Sequence, residues 1–207
     1  MKEQEVLRLF GEIGAIITES HIVYTSGKHG KAYVNKDALY PYTAKTSCLC
    51  RVIAERFIKN NVQVVIAPAV GGVILSQWTA YHLSEMSGRE IFAVYADKSD
   101  GGFVIKRGYD KVITDKNVLV VEDVLTTGKS VKKVIEATRA IGGSVVGLGV
   151  LCNRGGVQPQ DVAEVPKLDA LCNVRLDAWE EEDCPLCRQK IPINTDVGNG
   201  HEFLRRS

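Results

Sequence analysis

"VLVVEDVLTTGKS", residues 118–130, joins an apolar run, an acidic pair and a turn rich in hydroxyls within one short stretch. Its closing Gly-Lys-Ser resembles the end of the loop G-x-x-x-x-G-K-[ST], which wraps phosphates with bare backbone. That pattern needs a glycine at position 123, where Asp123 stands, and Glu122 beside it adds a second carboxylate. A different geometry follows from the residues. Val118–Val121 read as a buried strand that carries two carboxylates to its end, and residues 126–130 turn into a helix. The free amides of a helix N-terminus, the hydroxyls of Thr126, Thr127 and Ser130 and the permissive Gly128 make a site for one phosphate. Ionised carboxylates accept hydrogen bonds from vicinal hydroxyls. The ligand described by this stretch is a ribose with a 5′-phosphate.

Outward from it, strands and helices alternate. Residues 2–18 have apolar positions at Val6, Leu7, Leu9, Phe10, Ile13, Ile16 and Ile17, a spacing that predicts a helix. A second helix is predicted from Thr43, as cap, to about Asn60. "VQVVIAP" (62–68) reads as a strand, 71–88 as a helix, "EIFAVYA" (90–96) and "NVLVVED" (117–123) as strands, 128–143 as a helix and 144–154 as a strand. Such alternation implies a parallel sheet with right-handed crossovers, flanked by helices, with ligands beyond the carboxyl ends of the strands. The loops after Ala67, Ala96, Asp123 and Asn153 all leave such ends and are expected to converge.

The 207 residues suit a single domain of this kind, and a formal net charge of +1 gives no global footprint for nucleic acid. The N-terminal residues do not read as a signal peptide, and no apolar run is long enough to span a membrane. A cytoplasmic protein is expected, in which Cys48, Cys50, Cys152, Cys172, Cys184 and Cys187 are reduced thiols or metal ligands.

On these residues the chain resembles the type I phosphoribosyltransferases, whose donor motif is an apolar strand, an acidic pair and a Thr/Gly/Ser loop. Further segments match one branch, the orotate phosphoribosyltransferases: "TSGKHG" (25–30), "APAVGGVILS" (67–76), "DKSDGGFVIKRG" (97–108), "CNRGG" (152–156) and "CPLCRQKIPI" (184–193), in order along nearly the whole chain. The resemblance implies a parallel α/β core at 41–155, a helix and small hood at 1–40, and a C-terminal strand with a cysteine-containing tail at 156–207. It implies Mg²⁺-dependent transfer of 5-phosphoribosyl from phosphoribosyl pyrophosphate to orotate, giving orotidine 5′-monophosphate and pyrophosphate in UMP biosynthesis. Two readings stay open beside it: transfer to a purine base, and a non-catalytic donor sensor that binds nucleic acid.

Carried over residue by residue, Glu122 and Asp123 hold the ribose hydroxyls while Val124, Leu125, Thr126, Thr127, Gly128, Lys129 and Ser130 shape the phosphate loop. Gly71 and Gly72 let backbone approach pyrophosphate. Lys98, Lys106 and Arg107 are the cations of a lid that closes over the partner subunit's site, which implies a homodimer. Arg154, with Ser26, Gly27, Lys28 and Thr126, borders orotate; a planar guanidinium suits its carboxylate. Mg²⁺ needs no dedicated protein ligands, because it keeps waters and binds phosphate oxygens. There are departures: Thr25 precedes the Ser-Gly where a basic residue is common, Gly30 and Lys31 replace Ser-Pro, and Ala32 replaces an aromatic. Cys184 and Cys187 form a C-x-x-C that suggests half of a zinc site, with Cys172 or His201 to complete it, against the alternative of loose thiols in a tail. His21, His29 and His82 show no ligand spacing; His82, Trp78 and Trp179 read as packing residues.

Overall fold

A computed structural model describes residues 1–24 and 26–205, so the departure at Thr25 lies outside the described residues. In chain order the elements are helix α1 (Glu3–Glu12), strands β1 (Ile16–Ile17), β2 (Ile22–Val23), β3 (His29–Gly30) and β4 (Tyr33–Val34), α2 (Thr43–Phe57), β5 (Val64–Pro68), α3 (Gly71–Ser87), β6 (Phe92–Ser99), β7 (Gly102–Val104), α4 (Tyr109–Ile113), β8 (Asn117–Leu125), α5 (Lys129–Ala140), β9 (Ser144–Asn153), β10 (Leu168–Asn173), α6 (Pro185–Arg188) and α7 (Gly200–Leu204). Contacts divide the chain into two compact units, Met1–Val6 with Tyr42–Val174, and Leu7–Pro41 with Arg175–Ser207.

The first unit is built on a six-stranded sheet in the order β10-β9-β8-β5-β6-β7. All neighbours run parallel except β7, which folds back antiparallel on β6. Strands buried on both faces read as continuous apolar runs, which is why 64–67 and 118–121 contain nothing polar. Alternate residues then split between the faces. Val64, Ile66, Val118, Val120, Leu148 and Val150 share one core with Val131, Val134 and Ile135 of α5. On the other face, a Cβ at Gly147 would come 2.5 Å from the Phe57 ring, and one at Gly149 would come 2.6 Å from Ile53. The two glycines therefore admit the apolar stripe of α2 directly against β9, where each buried large side chain contributes about 1.5–3 kcal/mol.

The second unit contains two small antiparallel pairs, β1 with β4 and β2 with β3. The C-terminal tail joins them. His29 and Trp179 exchange both backbone hydrogen bonds at 2.8 Å, and the Asn194 amide donates to the His21 carbonyl at 2.8 Å.

The structure departs from the sequence expectation at the N-terminus. α1 stops at Glu12, Gly14 turns the chain at φ +68°, and Ile16–Ile17 pair with Tyr33–Val34 instead of continuing the helix. Apolar residues three and four apart satisfied a helical template, but the left-handed glycine ends the helix and the same side chains are used in a hairpin. Tyr42, not Thr43, occupies the cap of α2, and it makes no side-chain cap hydrogen bond. β6 runs on to Ser99 and forms a hairpin with β7. Among the described residues no helix is long and apolar enough to cross a membrane.

Candidate functional site

The end of β8 positions the acidic pair. Glu122 and Asp123 are only 9% and 5% exposed. The Asp123 amide donates to Glu122 Oε1 at 3.0 Å and the Val124 amide donates to Asp123 Oδ1 at 2.7 Å, so each carboxylate is anchored by the backbone immediately after it. Thr126 and Thr127 follow, exposed, and Gly128 turns at φ +71° as the cap of α5, with no side chain capping the helix. The first-turn amides of α5 lack intrahelical acceptors, and the Lys129 amide donates to the Thr127 hydroxyl at 3.5 Å. A side chain at Gly128 would strike Val162 at 2.6 Å and Val157 at 3.1 Å. Only glycine fits both the backbone angle and the space.

The end of β9 braces this loop. The amides of Arg154 and Gly155 both donate to the Leu125 carbonyl, at 2.9 and 3.0 Å. A Cβ at Gly155 would run into the Thr126 carbonyl. The buried Asn153 side chain closes the turn by donating to the Val157 carbonyl at 2.9 Å and accepting from its amide at 3.1 Å. Asn153 and Gly155 are positioning residues that the sequence reading missed; the Gly-Gly of "CNRGG" was the available signal. Arg154 leaves this braced turn half-buried.

Two neighbouring strands end beside it, since β5 lies next to β8 and β6 next to β5. After β5, Ala69–Val70 is a cis peptide, Val70 is exposed, and Gly71–Gly72 open α3. A Cβ on Gly72 would stand 2.7 Å from that of Ala67, so α3 can start this close to the strand only with glycine there. Near the end of β6 Lys98 is exposed, as is Lys106 after β7, while Arg107 pairs with Asp97 and lies 5.3 Å over the Tyr95 ring. The hydrogen bond that Arg107 donates to Asp97 is the main cause that raises the Arg107 pKa. Lys133 of α5 ties the hairpin tip by donating to the Gly101 carbonyl at 2.8 Å. Donor loop, glycine pair, hairpin cations and Arg154 thus leave the carboxyl ends of adjacent strands in the first unit. Ser26, Gly27 and Lys28 belong to the second unit, in the exposed turn between β2 and β3; Gly27 sits at φ +84° and Lys28 pairs with Glu180 at 2.8 Å.

Also in the second unit, His21, His29, Cys184 and Cys187 bring one potential ligand atom each within 4.8 Å of one another. The set differs from the expectation that Cys172 or His201 would join the C-x-x-C. Cys172 lies on β10 opposite Cys152 and donates to the Leu151 carbonyl at 3.3 Å, and His201 is exposed on α7. The histidines carried no recognisable spacing because β2 and β3 bring them together as strand partners' neighbours. Burial, then the charge of His21, lowers the His29 pKa, and burial first pushes the Cys187 thiol up to about 11. His82, on α3, meets the Ser47 hydroxyl at 2.9 Å and stacks near Trp78, an interhelical packing role.

Residues 47–174 match the family model of the phosphoribosyl transferase domain. The chain is 34% identical over 193 residues to the orotate phosphoribosyltransferase of Thermoanaerobacter sp. (strain X514), covering 93% of this chain and 96% of that one. In fold it is similar to the orotate phosphoribosyltransferase of Mycobacterium tuberculosis H37Rv, with TM-score 0.68 and 22% identity over 83% of this chain and 96% of that one. The same enzyme solved in complex with 5-phospho-α-D-ribosyl 1-diphosphate gives TM-score 0.63 and 20% identity over 83% and 96%.

Proposed function

The chain belongs to the orotate phosphoribosyltransferase family, and from that premise we propose how its own residues perform the transfer from phosphoribosyl pyrophosphate to orotate. The carrying observation is the buried Glu122–Asp123 pair set immediately before the exposed Thr126 and Thr127 and the glycine-capped start of α5. The carboxylates accept from the 2′- and 3′-hydroxyls, and the loop with the first turn of α5 holds the 5′-phosphate. Backbone at Gly71–Gly72 approaches the pyrophosphate. In the reaction N1 of orotate forms the bond to C1 of the ribose, the C1–O bond to pyrophosphate breaks with its electron pair going to the leaving group, and N1 gives up its proton to solvent. Positive charge builds on the ribose and negative charge on pyrophosphate, so stabilisation at both ends lowers the barrier. Lys98, Lys106 and Arg107 supply cations for the leaving group, and Arg154 grips the orotate carboxylate, with Thr126, Ser26, Gly27 and Lys28 at the base.

Glu122 and Asp123, buried at the end of β8, offer carboxylate oxygens, the donor type Mg²⁺ favours, and they fit a Mg²⁺ carried by donor oxygens while they hold the ribose beside it. Bound there, it would supply positive charge to the leaving pyrophosphate. We further propose that the enzyme works in the cytoplasm as one phosphoribosyltransferase domain per chain, and as a homodimer whose lid serves the partner's site. Exposed Ile74 and Tyr81 on α3, with Phe92 on β6, support a second copy packing there. The 34% relative favours orotate over a purine base, and a net charge of +1 gives a nucleic-acid-binding regulator no support.

A Mg²⁺-dependent assay that follows loss of orotate absorbance tests the reading, with the double variant Glu122→Gln, Asp123→Asn as control. Turnover abolished by the control is expected. Donor binding without orotate turnover would overturn the assignment of the acceptor.

A further inference from the structure

We propose that His21, His29, Cys184 and Cys187 form a four-ligand zinc site that clamps the hairpin carrying Ser26–Lys28 to the C-terminal tail. His21, His29 and Cys184 are essentially buried, at 2%, 0% and 0% exposure. Cys184 and Cys187 Sγ each lie 3.6 Å from His21 Nε2, Cys187 Sγ lies 3.3 Å from His29 Nδ1, and the two imidazole nitrogens are 2.9 Å apart. A tetrahedral ion with Zn–N near 2.0–2.1 Å and Zn–S near 2.3 Å holds N and S about 3.6 Å apart and two N about 3.3 Å apart. These four distances lie close to those edges, and all four ligand atoms fall within 4.8 Å of one another.

Ordinary hydrogen bonding does not account for it. The His21 Nδ1–H donates to the Ile191 carbonyl at 2.7 Å, which leaves Nε2 with one lone pair. Three potential donors crowd that lone pair: His29 Nδ1 and both thiols. One ion at the centre takes a lone pair from each of the four instead. The Ile191 carbonyl fixes the His21 tautomer in the way outer partners orient metal-bound imidazoles. Two thiolates and two neutral imidazoles cancel the charge of Zn²⁺, as a buried site requires, and binding releases the two thiol protons to solvent. Phe203 closes the His29 side with its ring at 5.0 Å, and His29 Nε2 has no hydrogen-bond partner.

The consequence lies in the sequence around the ligands. His21 immediately precedes β2 and His29 opens β3, and Lys28 is the residue before a ligand. Fixing both ends of that hairpin restricts the turn assigned above to orotate; this part rests on the proposed function, whereas metal binding does not.

Metal content by plasma mass spectrometry of the untagged full chain is expected to give about one zinc per chain, as four protein ligands to one ion require. Cys187→Ser and His29→Gln should lose it and Cys48→Ser should keep it. Should the variants fail to fold, Co²⁺ added to chelator-stripped wild type gives the same answer: intense tetrahedral absorption and thiolate-to-cobalt charge transfer are expected. Wild type without zinc and without that spectrum, or full zinc in Cys187→Ser, would overturn the site. Stripped enzyme should show a raised KM for orotate with KM for phosphoribosyl pyrophosphate little changed; equal KM values with and without zinc would overturn the clamp. Loss of all turnover in zinc-loaded enzyme would instead sink the orotate reading alone.

Discussion

The strand-end loop at 122–130 and the cysteine–histidine cage are both polar sites with buried members, yet they are held in opposite ways. Glu122 and Asp123 are fixed by the amides of the residues that follow them, and the loop is braced by the next strand end. The cage draws on positions as far apart as His21 and Cys184, 163 residues in sequence: His21 precedes β2, His29 opens β3, and the two cysteines cap and occupy α6. A site made by local backbone tolerates loss of side-chain chemistry without loss of fold. A site made by distant ligands is itself part of the fold.

The largest expected effect separates the two. Glu122→Gln with Asp123→Asn removes two charge-assisted hydrogen bonds to the ribose, each worth about 1.5–3 kcal/mol, so kcat/KM should fall by about 10²–10⁴-fold. Thermal stability should hold, because the amides still find an acceptor oxygen. Stripping metal from the cage should do the reverse, lowering the melting temperature while donor affinity persists. A double variant that melts early, with activity lost only in proportion, would break the distinction.

Next in size are the hairpin cations. Lys98→Ala and Lys106→Ala should each lower kcat by up to about 10²-fold if they meet the leaving group. Arg107→Ala is expected to cost less, since Arg107 is already committed to Asp97 and Tyr95. An Arg107 effect larger than both lysines, measured as kcat under saturating substrates, would show that the hairpin rearranges on closure. Smaller still, Gly155→Ala pushes a methyl into the Thr126 carbonyl, an overpacking cost of about 1–3 kcal/mol that should appear mainly as raised KM for the donor. Gly11→Ala on α1, where nothing lies within 4 Å and no left-handed angle is required, should leave that KM unchanged.

The same contrast explains what the sequence disclosed. The strand at 118–125, the acidic pair and the helix from 129 were legible because each depends on neighbours in the chain: apolar continuity, a glycine, hydroxyls before a helix. Parallel order followed from alternation. The β1–β4 and β2–β3 pairs were not legible, since two-residue strands carry no periodicity and Ile16–Ile17 fitted a helix equally well. The histidine partners of Cys184 and Cys187 were missed for the same physical reason: their proximity is created by pairing and has no spacing.

His82 offers the smallest and sharpest control, a polar contact with no site around it. It lies between α3 and α2, against the Ser47 hydroxyl, with Arg51 and Glu55 on α2 and Glu85 on its own helix. Burial is the main cause that lowers its pKa from 6.5, with Arg51 also lowering and Ser47, Glu55 and Glu85 opposing. The folded chain therefore keeps His82 neutral where the unfolded chain takes up a proton. Stability from this position is complete above the unfolded pKa and declines as pH falls from about 6.5 toward the folded value. Wild type should lose more melting temperature than His82→Gln between about pH 7.5 and 5.5, with no matching change in KM for either substrate. If instead the two proteins lose stability in parallel, the acid sensitivity of the first unit belongs to other groups.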